Sequence, residues 1–470
     1  MTLRASQLGR PVDLESTRNA TEREVVARFH PAYAGGLARL PAGRQVFHGL
    51  PFELGPSDGR RWILVDRPVR VSVDGGGRAS HVVIAHLADA WRDDDGRRPA
   101  GLALGHVVPV GEVLAAYTVV ERSGRRTTRP IRRRFEVNDG LLGWGSGAFA
   151  AIGHRQTEVL DWRGPHPAQV PGRYAPTGQS GTLTIIPGSY GTDLTGVSDF
   201  VPSGTDDLLL WLHAFALEDG AEPVELQLEP RSGGRPGSDV IVAAVTLFNG
   251  SASPLVRASR RQVRLGGTAG EALEVDLGTV IRSRPARPGP AASASRIIGW
   301  GTPRREPGGG AGEGMIVDLA FAPDAVIRLG DWPVGARDLV EGRPIVEPGD
   351  RRSIELLPPA RIPVEVEIVD QRTSERLPAR VRFATADGRY LPPRGHRDEV
   401  NPGFFEDTGG DLILGGSTYA YVPGRFEIDL PLGDVEVEVV TGFDRPPIAT
   451  TIRVEPSTRR LELTLASRLG

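Results

Sequence analysis

The 470-residue chain has no cysteine, and all 56 of its basic residues are arginine, so lysine is missing too. Without cysteine there is no thiolate nucleophile, no disulfide framework and no Cys-ligated zinc or iron–sulfur centre. Without lysine there is no Schiff base for pyridoxal phosphate or carbonyl substrates, and no Walker A loop. P-loop ATPases, aldolase-type enzymes and lysine-dependent kinases fall away together. A large excess of charge of either sign is missing as well, with 56 basic against 59 acidic residues. The net charge is −3, with no basic helix and no aromatic-basic interleaving to track a phosphate backbone, so nucleic acid is not an expected partner. No run of 18 apolar residues occurs, and residues 1–21 are polar where a secretory signal needs an apolar stretch. The expectation is a membrane-free, cytoplasmic protein.

Hydrophobic residues make up 39% and charged residues 24%, the balance of a globular chain rather than a disordered one. The 60 glycines and 40 prolines follow no Gly-X-Y period and punctuate short apolar segments, which favours β architecture. The one helix start with a full signature is Thr21-Glu22-Arg23-Glu24, a capping box followed by Val25, Val26 and Phe29. After it the strand signals take over, at 62–65, 69–73, 82–88, 113–120, 183–186, 208–215, 224–228 and 240–248. Residues 282–295 and 307–314 are rich in Arg, Pro, Gly and Ser and read as linkers or surface loops. The cleanest alternation lies near the C-terminus: Val364, Val366 and Ile368 alternate with Glu365 and Glu367, and Phe426, Ile428 and Leu430 with Glu427 and Asp429. Such a period of two marks strands with one buried face. The expected fold is all-β, with two or three β-sandwich domains. A short N-terminal segment with a helix (1–30) precedes a jelly-roll-like sandwich (31–250), a linker with a small β segment (251–360) and an Ig-like or transthyretin-like sandwich (361–470).

Two stretches resemble known families. From Phe47 to Phe248 the order is Val83-Ile84-Ala85-His86-Leu87, then Tyr117, then Trp144-Gly145, then Leu208-Leu209-Leu210-Trp211 before Pro223-Val224-Glu225-Leu226. This is similar to the jelly-roll, galactose-binding-like carbohydrate-binding modules found beside glycoside hydrolases. It departs from them at Glu121-Arg122-Ser123-Gly124, where those modules carry a Tyr-x-Asp-Gly turn. The second stretch carries Leu377-Pro378-Ala379-Arg380-Val381-Arg382-Phe383, Asp387-Gly388-Arg389-Tyr390-Leu391-Pro392, Asn401-Pro402-Gly403-Phe404-Phe405 and Tyr419-Ala420-Tyr421-Val422. It resembles the β-sandwich domain that precedes the catalytic domain of CehA/McbA-type metallohydrolases. That family's His-x-His metal motif is not in this sequence. The resemblances imply a non-catalytic accessory protein that binds a carbohydrate or small molecule, or docks to a separately encoded metallohydrolase.

The residues leave rival readings open. A hydrolase or lyase acting on a glycan or glycoside between the sandwiches would draw on His86, His106 and Asp199; the plain reading of His86 is a hydrogen-bonded core histidine, since Val82 and Ile84 share its face. His396 sits in a polar loop. Trp144 and Trp300, each within Gly-Trp-Gly, are the ligand-stacking candidates, with packing at strand ends as the alternative. No cofactor is expected. Asp193 and Asp199 are the candidates for a structural calcium, against a plain solvated loop. A third reading is a structural protein that assembles through edge strands.

Overall fold

The computed structural model describes residues 5–75, 77–92, 110–140, 148–154, 208–231, 237–255, 261–267, 273–285, 314–340, 344–349, 352–385, 388–396, 411–414, 417–443 and 445–466. Among them strands dominate, and the protein is all-β, with several sandwich-like sheets. The chain divides into two compact units. The first comprises Met1–Arg260, Ala272–Ile281 and Leu319–Asp338; the second comprises Arg261–Glu271, Arg282–Asp318 and Leu339–Gly470.

In the first unit a seven-stranded sheet runs Ile152–His154, Leu210–Ala216, His81–Ala88, Val240–Phe248, Arg60–Leu64 and Ala20–Thr21, with Gly9–Pro11 beside Val240–Phe248. A four-stranded sheet runs Val69–Ser72, Pro223–Pro230, Val113–Glu121 and Arg126–Arg132. One buried cluster joins them: Val82, Ile84 and Val245 from the larger sheet meet Tyr117, Val119, Leu226 and Leu228 from the smaller. Each such aliphatic side chain, fully buried, contributes about 1.5–3 kcal/mol. The largely apolar sequences of His81–Ala88 and Val240–Phe248 have a direct cause: both strands are buried along their whole length, and the polar exceptions His81, His86 and Thr246 are buried with them.

The capping box forms as the sequence requires. The Thr21 hydroxyl accepts from the Glu24 amide at 3.3 Å, and the Glu24 carboxylate accepts from the Thr21 amide at 2.7 Å, starting the helix Glu22–Arg28. A second helix, Ala34–Arg39, has no such signature, because Gly35 and Gly36 lower its propensity. It forms because Gly36 and Leu37 are buried, so tertiary packing overrides local preference. The linker reading of 282–295 needs correcting at its start: Arg282–Pro285 closes the strand Gly278–Pro285, with proline at the end position that a strand tolerates.

In the second unit Arg261–Gly266 pairs with Ser353–Leu356, which pairs with Ile345–Val346. The C-terminal sandwich packs a three-stranded sheet (Arg425–Leu430, Ile362–Asp370, Arg460–Leu465) against a six-stranded one. The latter runs Asp411–Leu414, Ser417–Val422, Ala379–Thr385, Gly433–Val440 and Ile448–Val454, with Tyr390–Leu391 at Ala379–Thr385. Its core is the alternation seen in the sequence: Val364, Val366, Ile368, Ile428, Leu430, Val435, Val437 and Val439 are all buried. No helix among the described residues is long and apolar enough to cross a membrane.

Candidate functional site at the rim of the first sandwich

The strand Arg126–Arg132 ends at the first of three consecutive arginines, Arg132, Arg133 and Arg134, which have three different fates. Arg133 is fully buried. Its guanidinium donates to the Glu112 carboxylate at 3.0 Å, the Asp89 carbonyl at 2.9 Å, the Gly237 carbonyl at 2.5 Å and the Asp139 carboxylate. Burial alone would lower its pKa, but the charges of Asp139 and Glu112 outweigh that and the net shift is upward. The cation thus gathers the end of the strand His81–Ala88, the approach to Val240–Phe248 and the turn at 133–140 around one point.

Asp89, also fully buried, lies beside this clamp. It accepts from the amides of His30 and Ala90, each at 2.8 Å, and from the Arg92 guanidinium at 2.6 Å. Burial raises its pKa to about 6 against the pull of those donors. The Tyr33 hydroxyl donates to the Ala88 carbonyl at 2.8 Å and accepts from the Gly140 amide at 3.0 Å, and burial pushes its pKa well up. Trp211 donates its indole N–H to the Asp139 carbonyl at 2.9 Å. Every polar group named here has a partner, which makes the rim a rigid frame.

On the outside of that frame lies a ladder of rings and cations. The Arg132 guanidinium stands 4.3 Å from the Phe135 ring, Phe135 and Phe149 are 5.3 Å apart, and Arg134 stands 5.8 Å from the Phe149 ring. Phe149 is 69% exposed. It is held at the backbone: the Phe149 amide donates to the Arg134 carbonyl at 2.9 Å, the Ala150 amide to the Phe135 carbonyl at 3.0 Å, and His213 Nδ1–H to the Ala150 carbonyl at 2.8 Å. Arg134 has φ +63°, a left-handed conformation that costs a bulky side chain about 1–2 kcal/mol. The Glu136 carboxylate accepts from the Arg132 side chain at 2.6 and 3.1 Å and from its amide at 2.9 Å. An exposed phenyl ring, with the Phe135 ring on one side and a guanidinium on the other, is suited to stacking on a flat ligand.

No family model and no curated protein matches the chain. Among solved structures, the backbone protein of the group B streptococcus pilus 2b is 9% identical, covering 86% of this chain and 95% of that one, with a TM-score of 0.18. The Bacillus anthracis TIE protein is 10% identical over 48% of this chain and 36% of its own, with a TM-score of 0.15. The major pilin subunit of Bacillus cereus is 7% identical over 85% and 63%, with a TM-score of 0.14. At TM-scores this low the likenesses carry no argument.

Of the residues singled out from the sequence, His106, Trp144, Asp193, Asp199 and Trp300 lie outside the described residues. Trp144 belongs to the stretch 141–147 between Gly140 and Ala148, close to Phe149 in the chain. His86 is fully buried. Its Nε2 is 2.8 Å from the Glu136 carbonyl, which can only accept, so Nε2 carries the proton; Nδ1 faces the Tyr117 hydroxyl at 3.4 Å. Burial, and the nearby His213, lower its pKa to about 3. His86 is therefore a neutral packing histidine, closed from solvent. Among the described residues no group of three His, Asp or Glu side chains is placed to hold a metal ion. In the second unit His396 Nδ1–H donates to Asp411 at 2.8 Å, a pairing that the fifteen-position separation hides in the sequence. The loop before it is anchored by Arg394, whose guanidinium donates to Asp429 at 2.7 and 3.2 Å.

The buried histidines set a pH dependence. His154 is lowered to about 4, by burial, and His86 to about 3, so below pH 6.5 the unfolded chain binds protons that the folded one refuses. Their stabilisation is present above pH 6.5 and is lost as pH falls. Asp89 works in the opposite sense: its folded pKa lies above the unfolded value, so acid relieves its burial penalty between about pH 6 and 4. Two histidines outweigh one carboxylate, and the unfolding free energy should fall by about 3 kcal/mol between pH 7.5 and 5. Guanidinium titrations at the two pH values measure this; equal or greater stability at pH 5 would contradict the assignment.

Proposed function

We propose that the chain is a non-catalytic accessory protein that binds a carbohydrate or a small flat ligand at the rim of its first sandwich. The observation that carries this reading is Phe149, an exposed ring set on hydrogen-bonded backbone above the buried Arg133 clamp. Ring stacking on the C–H face of a sugar needs an accessible, immobile aromatic surface, and a rigid frame lowers the entropy lost on binding. The sequence resemblance to carbohydrate-binding modules points the same way.

The test is calorimetric titration of the full chain against an oligosaccharide panel, with Phe149→Ala alongside. Because the ring is mostly solvated, the substitution should leave the melting temperature unchanged within a degree or so while weakening binding at least tenfold, about 1.4 kcal/mol. Wild-type binding that survives Phe149→Ala unchanged would move the site elsewhere. A rival reading as a hydrolase or lyase draws on the His396–Asp411 pair. Release of new reducing ends from a saccharide, lost on His396→Ala, would establish it in place of a binding role.

A further inference from the structure

An edge strand presents unpaired amides and carbonyls, a template for a strand of another chain, and folds guard such edges with charge, proline, bulges or shortness. Among the described residues, the edges of the two sandwiches are guarded in this way with one exception. In the first sandwich Ala20–Thr21 and Ile152–His154 are two and three residues long, and Val69–Ser72 is four residues with Arg70. Arg126–Arg132 carries three arginines, Pro130 and a register shift against Val113–Glu121. In the C-terminal sandwich Arg425–Leu430 carries Arg425, Glu427 and Asp429, Arg460–Leu465 carries Arg460 and Glu462, and Asp411–Leu414 is four residues with an aspartate.

The exception is Ile448–Val454, the last strand of the six-stranded sheet. It is seven residues long, contains no proline, and pairs with Gly433–Val440 without a bulge. Val454 is buried and Ile448 and Ile452 pack against the core, so Ala449, Thr451 and Arg453 lie on the opposite face. Arg453, the one charged residue of the strand, is neutralised by Asp434 at 2.9 Å. Ala449, Thr450 and Thr451 are all exposed, although Thr450 shares the core-side face, so the sandwich does not close over this edge. Both ends of the strand adjoin bare apolar side chains. Phe443, 91% exposed, lies in the link that leads into Ile448, and Leu432, 52% exposed, precedes Gly433, the partner of Val454.

We propose that a second copy of this chain pairs along Ile448–Val454, antiparallel about a two-fold axis at Thr451, so that the two six-stranded sheets run on as one. This is independent of the binding role assigned to the first sandwich. The strand's own sequence selects both partner and register. Only the register centred on Thr451 pairs all seven residues of each strand. It sets Ile448 against Val454, Thr450 against Ile452 and Thr451 against itself, pairs of β-branched side chains that favour a ladder. Arg453 then faces Ala449, and the two arginines are offset by about 14 Å along the strand, so no like charges meet. Antiparallel pairing also brings Phe443 of one copy and Leu432 of the other to the same end of the joined sheet, at both ends by symmetry. The contact is a single strand pair, below the about 1,200 Å² at which stable interfaces begin, so the dimer should form at micromolar rather than nanomolar concentration.

The experiment is sedimentation equilibrium of the full chain as wild type, Thr451→Lys, Thr451→Glu and an equal mixture of the two variants, from about 1 to 500 μM. Each variant alone sets two like charges directly opposite each other at the axis, whereas the mixture sets lysine against glutamate. The expected result is a wild type that dimerises in this range, variants that associate about tenfold more weakly, and a mixture at least as tight as wild type. Thr451 is exposed, so both variants should melt within about two degrees of wild type, and a chain that failed to fold would not be rescued by its charge partner. A wild type that stays monomeric throughout the range would overturn the proposal. A dimer that both substitutions leave unchanged would overturn it too, by placing the contact elsewhere. A mixture no tighter than either variant would overturn the pairing of Thr451 with itself, and the register with it.

Discussion

Arg133→Ala is expected to lower the unfolding free energy by about 3–5 kcal/mol, the loss seen when one partner of a buried ion pair is removed. The magnitude follows from what would be left behind. Asp139 and Glu112 are nine-tenths and almost nine-tenths buried, and the carbonyls of Asp89 and Gly237 lose a charged donor. Each stranded acceptor carries a desolvation penalty with nothing against it. Lysine should restore less than half of the loss, because a single ammonium cannot reach acceptors arranged around the edges of a planar fork. Arg122→Ala is the control: that residue also forms ion pairs, with Asp74 and Glu222, but all three side chains are at least 42% exposed, and such pairs contribute about 0–1 kcal/mol each. Urea denaturation of the three variants separates the cases. A loss at Arg133 no larger than at Arg122 would mean that the clamp is not what holds the rim, and Phe149 would lose its rigid base with it.

Much of the framework was legible because its signals are local. The strand Val240–Phe248 coincides with the apolar run that announces it, and the alternating valines of 364–368 and 435–439 point into the C-terminal core as their period of two requires. The capping box at Thr21 forms as written. The failures share a cause too. Ala34–Arg39 was invisible because its helicity comes from burial rather than from its glycines, and Arg282–Pro285 looked like linker because Arg and Pro mark both loops and strand ends.

The candidate site was scarcely legible, for a different reason. Arg132, Arg133 and Arg134 are the same residue type side by side, yet one pairs with Glu136, one is buried and one is strained over a ring. Nothing local distinguishes them, because the acceptors that fix Arg133 at the centre of the clamp include groups 6 and 104 positions away in the chain. Phe149 in Gly-Ala-Phe-Ala has no periodicity to mark it, and its one sequence hint is the neighbouring Gly-Trp-Gly. Asp89 came closest to announcing itself, as a carboxylate at the end of a fully buried apolar strand, where a charge must find partners or shift its pKa.

Gly49→Ala should destabilise the first unit by about 3–5 kcal/mol, through two penalties acting at one atom. The strands Gly43–Phe47 and Leu50–Leu54 are joined by the two-residue turn His48-Gly49, with φ +50° and +80°, the double left-handed geometry that closes a tight hairpin. An alanine there keeps the left-handed strain and adds a Cβ that would lie 1.6 Å from the Asp276 carbonyl oxygen and 2.4 Å from its carbon. Both neighbours are backbone, so no side-chain rotation relieves the clash; the turn or the 272–281 segment must move. That segment is pinned in its own right, since the Asp276 carboxylate accepts from the amides of Leu277 at 2.6 Å and Val326 at 2.7 Å. Gly124→Ala isolates the first penalty, because Gly124 has φ +86° and nothing within 4 Å of its would-be Cβ, and it should cost only about 1–2 kcal/mol. The difference between the two variants measures the close approach itself. Hydrogen exchange at Leu277 and Val326 locates it: faster exchange in Gly49→Ala alone is expected, and equal effects of the two glycine substitutions would mean that the hairpin does not abut the 276–277 backbone.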